Sequence, residues 1–316
     1  MLTDKVLIIG GAGYIGSRLY KHLTDAGYSI DVVDTCWFGN PANVPVIKKD
    51  MFALTTQDLA LYRTVVLLAG HSSVQMCENN FYSAWCNNVH NFVTLLNKLS
   101  EHQKLIYASS SSVYGCHDSE YAVEDMPLSA PVNPYDHTKQ LIDELTREHL
   151  IPRSGGRVFG LRFGTVCGGS DNFRADVMIN AMTHTGVQEK CVRVFNGDTR
   201  RSILGLRDLC RAIECLIASD GPSQIYNLAS FHSTSIEIGK SVADYMEIPL
   251  LEQTPPQTGN AKMISKNYDF WVDTHQFEQD MDFQFHDTPQ SIITDILNSY
   301  IKCVISKRDG KFLYGN

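Results

Sequence analysis

A tyrosine and a lysine four residues apart are the side chains in this sequence best suited to acid–base chemistry. Tyr135 and Lys139 would share one face of a helix, which brings the ammonium beside the phenol ring. A nearby cation favours the phenolate, so such a tyrosine can exchange a proton with a substrate hydroxyl. Ser110 is predicted to hold that hydroxyl in place. Because Tyr-x-x-x-Lys also occurs by chance, the interpretation depends on the rest of the chain.

A glycine-rich turn near the amino terminus predicts a bound dinucleotide. An apolar strand at 6–9 leads into Gly10-Gly11-Ala12-Gly13-Tyr14-Ile15-Gly16, and a helical pattern follows. Glycines let backbone amides approach a pyrophosphate at the start of a helix. A second strand ends in Asp34, whose carboxylate favours NAD over NADP by binding ribose hydroxyls; a strand-end cap is the alternative. The predicted cofactor contacts here are Gly10, Gly13, Tyr14, Ile15, Gly16 and Asp34.

Strands and helices alternate along the first half of the chain. Residues 64–69 and 104–108 are predicted as buried parallel strands, with 89–99 as a helix between them. The predicted fold class is α/β, a Rossmann-type doubly wound parallel sheet with a smaller C-terminal substrate-binding lobe. We assign 1–164 mainly to the NAD-binding domain. Residues 165–316 are assigned mainly to the lobe, with some segments returning to the Rossmann sheet.

Ligands bind at the carboxyl ends of strands in such a sheet, so more contacts are predicted there. Ala69 and Gly70 should lie near the cofactor, and 109–112 near the nicotinamide. Asp50, with Met51 beside it, is placed to bond the adenine amino group, although a surface turn explains it nearly as well. His71 either faces this site or lies on a solvent-facing loop.

Composition excludes several functional classes. The 316 residues carry a net charge of -8 and 43% hydrophobic residues, which argues against disorder and against binding nucleic acid through its phosphates. Nine cysteines include no Cys-x-x-Cys pair, and eleven histidines show no paired metal spacing, so we predict no metal site. No signal peptide or long apolar run is found, which predicts a cytoplasmic protein without a membrane partner.

Together these motifs resemble an extended short-chain dehydrogenase/reductase of the NAD-dependent nucleotide-sugar epimerase/dehydratase group. The glycine turn, the serine-rich segment at 109–115 that ends in Val-Tyr-Gly, and the Tyr135–Lys139 pair each match that family. The resemblance implies that Ser110 is the catalytic hydroxyl and Asn88 a cofactor-side amide. It also places Lys139 on the nicotinamide ribose. A homodimer is implied through helices near 84–100 and 135–149, packed as a four-helix bundle.

The resemblance also places the substrate. Arg201 matches the arginine that binds the substrate pyrophosphate, whereas Arg174, Arg200 and Arg207 are solvated or helix-facing alternatives. The other predicted substrate contacts are Ser73, Ser111, Thr165 and Arg174. The family's usual asparagine is replaced around Thr165, and its usual histidine is Gly205. No second phosphate-binding arginine is found near 255–270, where Lys262 and Lys266 are the candidate substitutes.

The departures from the family pattern bear on the reaction. Ser111 and Ser112 stand where sugar dehydratases carry acids, which argues against dehydration and against the usual decarboxylation. The absence of a cysteine at Ser112 argues against thiol-assisted epimerases, and Cys116 lies past the turn. We therefore predict an NAD-dependent nucleotide-sugar epimerase that acts through transient oxidation. An NAD(P)H-dependent keto-sugar reductase or a dehydratase is the alternative, and a non-catalytic dinucleotide sensor comes last.

Overall fold

The computed structural model describes residues 3–115, 119–150, 157–253, 269–300 and 304–305. Its strands are β1 Thr3–Ile9, β2 Ile30–Asp34, β3 Val46–Lys48, β4 Tyr62–Leu67, β5 Lys104–Ser110, β6 Tyr121–Ala122, β7 Arg157–Phe163, β8 Thr165–Cys167, β9 Asn172–Phe173, β10 Val192–Phe195, β11 Arg200–Gly205, β12 Gln224–Leu228, β13 Phe231–Thr234, β14 Leu250–Gln253, β15 Trp271–Val272 and β16 Val304–Ile305. Its α-helices are α1 Tyr14–Asp25, α2 Thr56–Leu59, α3 Val74–Asn79, α4 Phe81–Trp85, α5 Asn91–Leu96, α6 Pro134–Leu145, α7 Met178–Glu189, α8 Leu206–Ala218, α9 Ser235–Met246, α10 His275–Met281 and α11 Pro289–Tyr300.

A seven-stranded parallel sheet forms the centre of the described chain, in the order β12-β7-β5-β4-β1-β2-β3. Both faces of the sheet are covered, which is why its strands have nearly continuous apolar sequences. On one face, Val6 and Ile8 of β1 pack in a cluster with residues of α1 and α8. On the other face, Leu7 and Ile9 pack with residues of α5 and α6. The predicted α/β Rossmann-type fold class is confirmed.

The second half of the chain builds most of a smaller lobe. The described lobe contains a three-stranded sheet of β13, β11 and β8, a pair formed by β10 and β14, and a separate apolar cluster that includes residues of α7, α9 and α11. Strand β12 and helix α8 do not belong to this lobe, because β12 pairs with β7 and α8 packs against α1. The two halves are therefore interleaved in sequence.

Several predicted element boundaries are wrong. The helix expected at 89–99 is instead α4, a π-helical segment at Cys86–His90 and α5. Strand β4 runs from Tyr62 to Leu67, so Ala69 lies beyond the strand and not within it. Strand β5 continues to Ser110, which places the predicted catalytic hydroxyl at the strand's carboxyl end. None of the described helices is long and apolar enough to cross a membrane.

Candidate active site

The glycine turn opens into a cavity of about 850 Å³ at the carboxyl ends of β1, β2 and β4. Gly10 adopts φ +92°, a conformation that favours glycine, and a side chain there would meet Ala69 N at 2.5 Å. A Cβ on Gly16 would lie 2.2 Å from Gly10 O, so helix α1 starts in close contact with the turn. This packing leaves the turn's backbone facing the cavity. All of Gly10, Gly13, Tyr14, Ile15 and Gly16 line the cavity.

Asp34 and Asp50 lie on the same cavity wall, and each also has a structural role. The carboxylate of Asp34 accepts hydrogen bonds from Ala12 N at 2.9 Å and Cys36 N at 2.7 Å. The residue predicted to bind the ribose is therefore also a strand-end cap. Asp50 caps the short 3-10 helix at Met51–Ala53 by accepting a bond from Phe52 N at 2.8 Å. Asp50 therefore lies at a helix start and not at a strand end. The close glycine turn and the Asp34 carboxylate fit NAD.

Several residues that line this cavity were not predicted as cofactor contacts, among them Trp37, Phe38, Asn87 and Asn172. Trp37 and Phe38 lie in the loop that follows β2, a position that the strand-end rule could have identified. Asn87 lines the cavity one residue before the predicted Asn88. Asn172 comes from the distant β9, and its side-chain amide donates to Ala12 O at 3.0 Å. Nothing local in the sequence identified Asn172.

A second cavity of about 790 Å³ contains the predicted catalytic residues. It shares Tyr14, Ala69, Gly70 and Arg174 with the cofactor cavity, so the two form one continuous cleft. Thr165, predicted as a substrate contact, also lines it. Ser110, Tyr135 and Lys139 lie together on its wall. The structure thus brings the sequence-predicted catalytic residues to one place beside the predicted cofactor.

Two helix starts position the catalytic side chains. Ser110 caps the 3-10 helix at Ser111–Tyr114, where its Oγ accepts from Ser112 N at 3.2 Å and lies 2.9 Å from Ser112 Oγ. Asn133 caps α6 by accepting from Asp136 N at 3.0 Å, and Pro134 occupies the first turn. Tyr135 and Lys139 then fall on one face of α6.

Burial dominates the titration of the catalytic pair in this structure. Lys139 Nζ lies 5.8 Å from the Tyr135 ring centroid and donates to Ala108 O at 2.7 Å. Burial raises the pKa of Tyr135 to about 12, although a hydrogen bond with Ser110 acts in the opposite direction. In the protein alone, desolvation of the phenolate therefore acts against the expected favouring of that form. Burial also lowers the pKa of Lys139 to about 8.

The side chain of Asn88 links two segments of the site by hydrogen bonds. Its Oδ1 accepts from His71 N at 2.8 Å, and its Nδ2 donates to His71 O at 3.1 Å and to Thr138 Oγ1 at 3.0 Å. The amide therefore joins the loop after β4 to the catalytic helix. His71 is buried and not solvent-facing, and burial lowers the pKa of its imidazole to about 4. The structure thus gives Asn88 a positioning contact where a direct cofactor contact was predicted.

The predicted substrate residues divide into two groups. Arg174 lines both cavities, and its guanidinium bonds Asp176 and the carbonyl of Ser72. Ser73 caps α3 by accepting from Met76 N, and its neighbour Ser72 lines the cleft. The described lining of the cleft does not include Ser111 or Arg201, and Arg201 donates to Arg200 O at 2.8 Å on β11. Arg174, and not Arg201, is the arginine brought to the catalytic residues.

The glycine that replaces the family's usual histidine has a packing explanation. A Cβ on Gly205 would lie 2.1 Å from Asp287 Oδ2. Asp287 fills that space and accepts bonds from Arg207 and from Asp208 N. Cys116, Lys262 and Lys266 lie outside the described residues. Within the described ranges, no group of three or more His, Cys, Asp or Glu could hold a metal ion.

A family model for the NAD dependent epimerase/dehydratase family matches residues 6–229. The chain is 29% identical over 168 residues to a UDP-glucose 4-epimerase of Dictyostelium discoideum, covering 46% of this chain and 47% of that protein. It is 27% identical over 256 residues to the UDP-glucose 4-epimerase of Corynebacterium glutamicum, covering 74% of this chain and 77% of that protein. The match therefore spans about half the length of the first relative and about three quarters of the length of the second.

Solved structures share the fold over nearly the whole chain. A UDP-glucuronic acid 4-epimerase from Bacillus cereus, in complex with UDP-glucuronic acid and NAD, superposes with a TM-score of 0.80 at 19% identity. The match covers 94% of this chain and 98% of that one. The NDP-hexosamine 5,6-dehydratase TunA superposes with the same TM-score at 21% identity, covering 96% and 99%. At these identities the likeness establishes the fold alone. The epimerase and the dehydratase match this chain with the same TM-score, so the fold does not distinguish their activities.

Proposed function

Because the chain belongs to the NAD dependent epimerase/dehydratase family, whose cofactor is NAD, we propose that it epimerises a nucleotide sugar by transient oxidation to a keto-sugar. The observation that carries this proposal is the meeting of Ser110, Tyr135 and Lys139 in a cavity continuous with the cofactor cavity. A protein that only sensed the dinucleotide would need the glycine turn and Asp34. It would not need these three side chains together.

The chain's own residues would move the proton. Tyr135, as the phenolate, takes the proton of a sugar hydroxyl, and Ser110 donates a hydrogen bond to the same oxygen through both half-reactions. When bound, NAD supplies the acceptor for the hydride of the sugar carbon and the source of its return. The keto-sugar must then turn its opposite face to the cofactor before the hydride returns, which inverts the carbon. Tyr135 gives the proton back to the oxygen, and a pKa raised by burial makes this return step favourable. Lys139 keeps a positive charge near the phenol during the first step.

Arg174 is our proposed anchor for the negative part of the substrate. It lies between the two cavities, where Asp176 holds its guanidinium in place. Burial alone would lower the pKa of Arg174, but the carboxylate of Asp176 raises it, so the charge is retained. A planar guanidinium matches the oxygens of a diphosphate. Arg201, on the neighbouring lobe strand, remains the second candidate for the same role.

The lining of the catalytic cavity favours epimerisation over dehydration. Elimination of water from a sugar needs an acid beside the departing hydroxyl. The described lining contains no aspartate or glutamate, and Ser112, in place of such an acid, is bonded to Ser110. A simple exchange of hydride and proton needs no further acid. Reduction of a keto-sugar by added reduced cofactor would use the same residues. The nucleotide-sugar panel described below distinguishes it by a change of two hydrogens in the product.

We also propose a homodimer formed by the helical segments at 81–96 and 134–150. Helix α4 carries Phe81, Tyr82 and Trp85 exposed to solvent, with 72% of Tyr82 exposed. An apolar row on a helix that borders α6 is suited to pack against a second copy. The pairing of two such helices per subunit would give a four-helix bundle.

A panel of UDP-, GDP- and dTDP-sugars, incubated with NAD and the purified protein, tests the proposed function. The products are separated by ion-pair chromatography and weighed by mass spectrometry. A new peak of unchanged mass supports the epimerase and identifies its sugar. Loss of water would identify a dehydratase, and a change of two hydrogens an oxidoreductase. A panel without any product would favour the sensor.

A further inference from the structure

A buried ionic network lies directly behind the catalytic helix. Asp143 and Arg162 are both fully buried, and Arg162 Nε donates to Asp143 Oδ2 at 2.8 Å. The Tyr107 hydroxyl donates to Asp143 Oδ1 at 3.0 Å. Arg162 Nη1 donates to the Tyr114 hydroxyl at 2.9 Å, and its guanidinium lies 4.8 Å from the Tyr114 ring centroid. The carboxylate therefore has partners on both oxygens and a fixed position.

This network reaches the catalytic residues through three short connections. Asp143 lies one turn beyond Lys139 on α6, so the two side chains share a helix face. Tyr107 precedes Ala108, whose carbonyl accepts the Lys139 ammonium at 2.7 Å. Tyr114 ends the 3-10 helix that Ser110 caps. One buried carboxylate is thus held against the helix, the strand and the short helix that carry the catalytic groups.

Stability alone does not explain a charged pair in this place. Taking two charges out of water costs several kcal/mol per ion, and apolar replacement of a buried pair is often neutral or stabilising. A buried negative charge near a catalytic ammonium has another consequence, because it favours the protonated amine. Cys77 on α3 and Tyr135 on α6 are the other titratable groups facing Lys139, and both are neutral at physiological pH.

We propose that Asp143 is a positioning residue that keeps Lys139 protonated beside Tyr135. The inference rests on the proposed function, since the charge on Lys139 matters only if Tyr135 exchanges a proton. Burial lowers the pKa of Lys139 to about 8, and the carboxylate of Asp143 acts against that fall. Without this charge, the amine would lose its proton at a lower pH. A neutral amine no longer favours the phenolate of Tyr135.

Competitive acetylation tests the proposal without substrate or cofactor. The protein is labelled with a trace of acetic anhydride from pH 6 to 11, and the acetylation of Lys139 is followed by mass spectrometry of its peptide. Only the neutral amine reacts, so the pH of half-maximal reaction reports its pKa. Lys139 lines the cleft and is open to a small reagent. At pH 7, a fall in the pKa from about 8 to about 7 raises the neutral fraction of the amine from about 9% to about 50%, which makes it about fivefold more reactive.

Four variants separate charge from structure. Asp143→Asn should move the half-reaction of Lys139 to lower pH, and Asp143→Glu should leave it near that of the wild type. The double variant Asp143→Asn/Arg162→Met removes both charges and leaves no unpaired buried arginine. It should also move the half-reaction of Lys139 to lower pH. Asp280→Asn is the matched control, because Asp280 also accepts a hydrogen bond from a tyrosine, Tyr226, on the distant strand β12. It should not move the half-reaction.

The outcomes distinguish this proposal from the proposed function. Equal half-reaction pH in the wild type and the folded charge-removing variants would overturn the role of Asp143. Failure of both variants to fold would assign the pair a purely structural role and overturn it as well. If an epimerase substrate is found, the alkaline limb of the kcat profile should move to lower pH in Asp143→Asn. If no sugar is turned over, the proposed function fails while the labelling result still decides the effect of Asp143 on Lys139.

Discussion

Replacement of Gly16 by alanine should disrupt the cofactor cavity without unfolding the protein. The added Cβ would lie 2.2 Å from Gly10 O and 2.5 Å from Gly11 Cα, both backbone atoms that cannot rotate away. To reach an ordinary contact of 3.4 Å, the turn must move by about 1 Å. A hydrogen bond of about 2.9 Å stretched by that amount is lost. The shift therefore removes the turn's amides from a bound pyrophosphate.

The size of the effect follows from those amides. A hydrogen bond to a charged group contributes about 1.5–3 kcal/mol. Loss of two such bonds would weaken NAD binding by about 3–6 kcal/mol, or roughly a factor of 10² to 10⁴ in Kd. Isothermal titration with NAD measures this directly, and a thermal melt checks the fold. Gly221→Ala is the control, because its Cβ would meet only side chains, at 3.2 Å and beyond. Binding by Gly16→Ala within about threefold of the wild type would refute the reasoning.

Three further changes test other parts of the account. Tyr135→Phe should lower kcat by about 10²–10⁴ while the Kd for NAD stays unchanged, and full activity would refute its role. Lys104→Met should lower the free energy of unfolding by about 2–4 kcal/mol, since the ammonium donates to three carbonyls at the end of α8. In the same urea titrations, Lys98→Met, which loses one exposed hydrogen bond and a cation–π contact with Phe52, should cost less than Lys104→Met. Equal costs would contradict the expected effect of burial. Trp85→Glu should yield a monomer by light scattering, and an unchanged dimer would exclude α4 from the interface.

The cofactor half of the cleft was largely predictable because its signals are local in sequence. Gly10, Gly16 and Asp34 lie in the turn after β1, in the first turn of α1 and at the end of β2, where spacing alone fixes their relative positions. Asn172 could not be predicted, because it reaches the same turn from β9 through a contact 160 residues apart. The cofactor contact predicted for Asn88 stays a prediction. The partners of Asn88 on the His71 loop and Thr138 depend on a fold that the sequence does not show.

For the catalytic half of the cleft, the sequence predicted which side chains lie together but not their pKa values. The spacing of Tyr135 and Lys139 correctly placed them on one helix face. The sequence did not show how burial raises the pKa of Tyr135, since this depends on how much protein surrounds the phenol. Arg174 and Arg201 illustrate the same limit. Both are arginines in plausible segments, and only the packing of the lobe decides which one reaches the cleft.

The claim of transient oxidation is tested most directly by running the nucleotide-sugar reaction with NAD in D₂O. Hydride that leaves a sugar carbon and returns to it does not exchange with solvent. The account therefore predicts an epimeric product that, after back-exchange of its hydroxyls, has the mass of the substrate and no deuterium on carbon. A carbon-bound deuterium in the epimer would contradict the account, because it would show removal of a proton from carbon in place of hydride transfer.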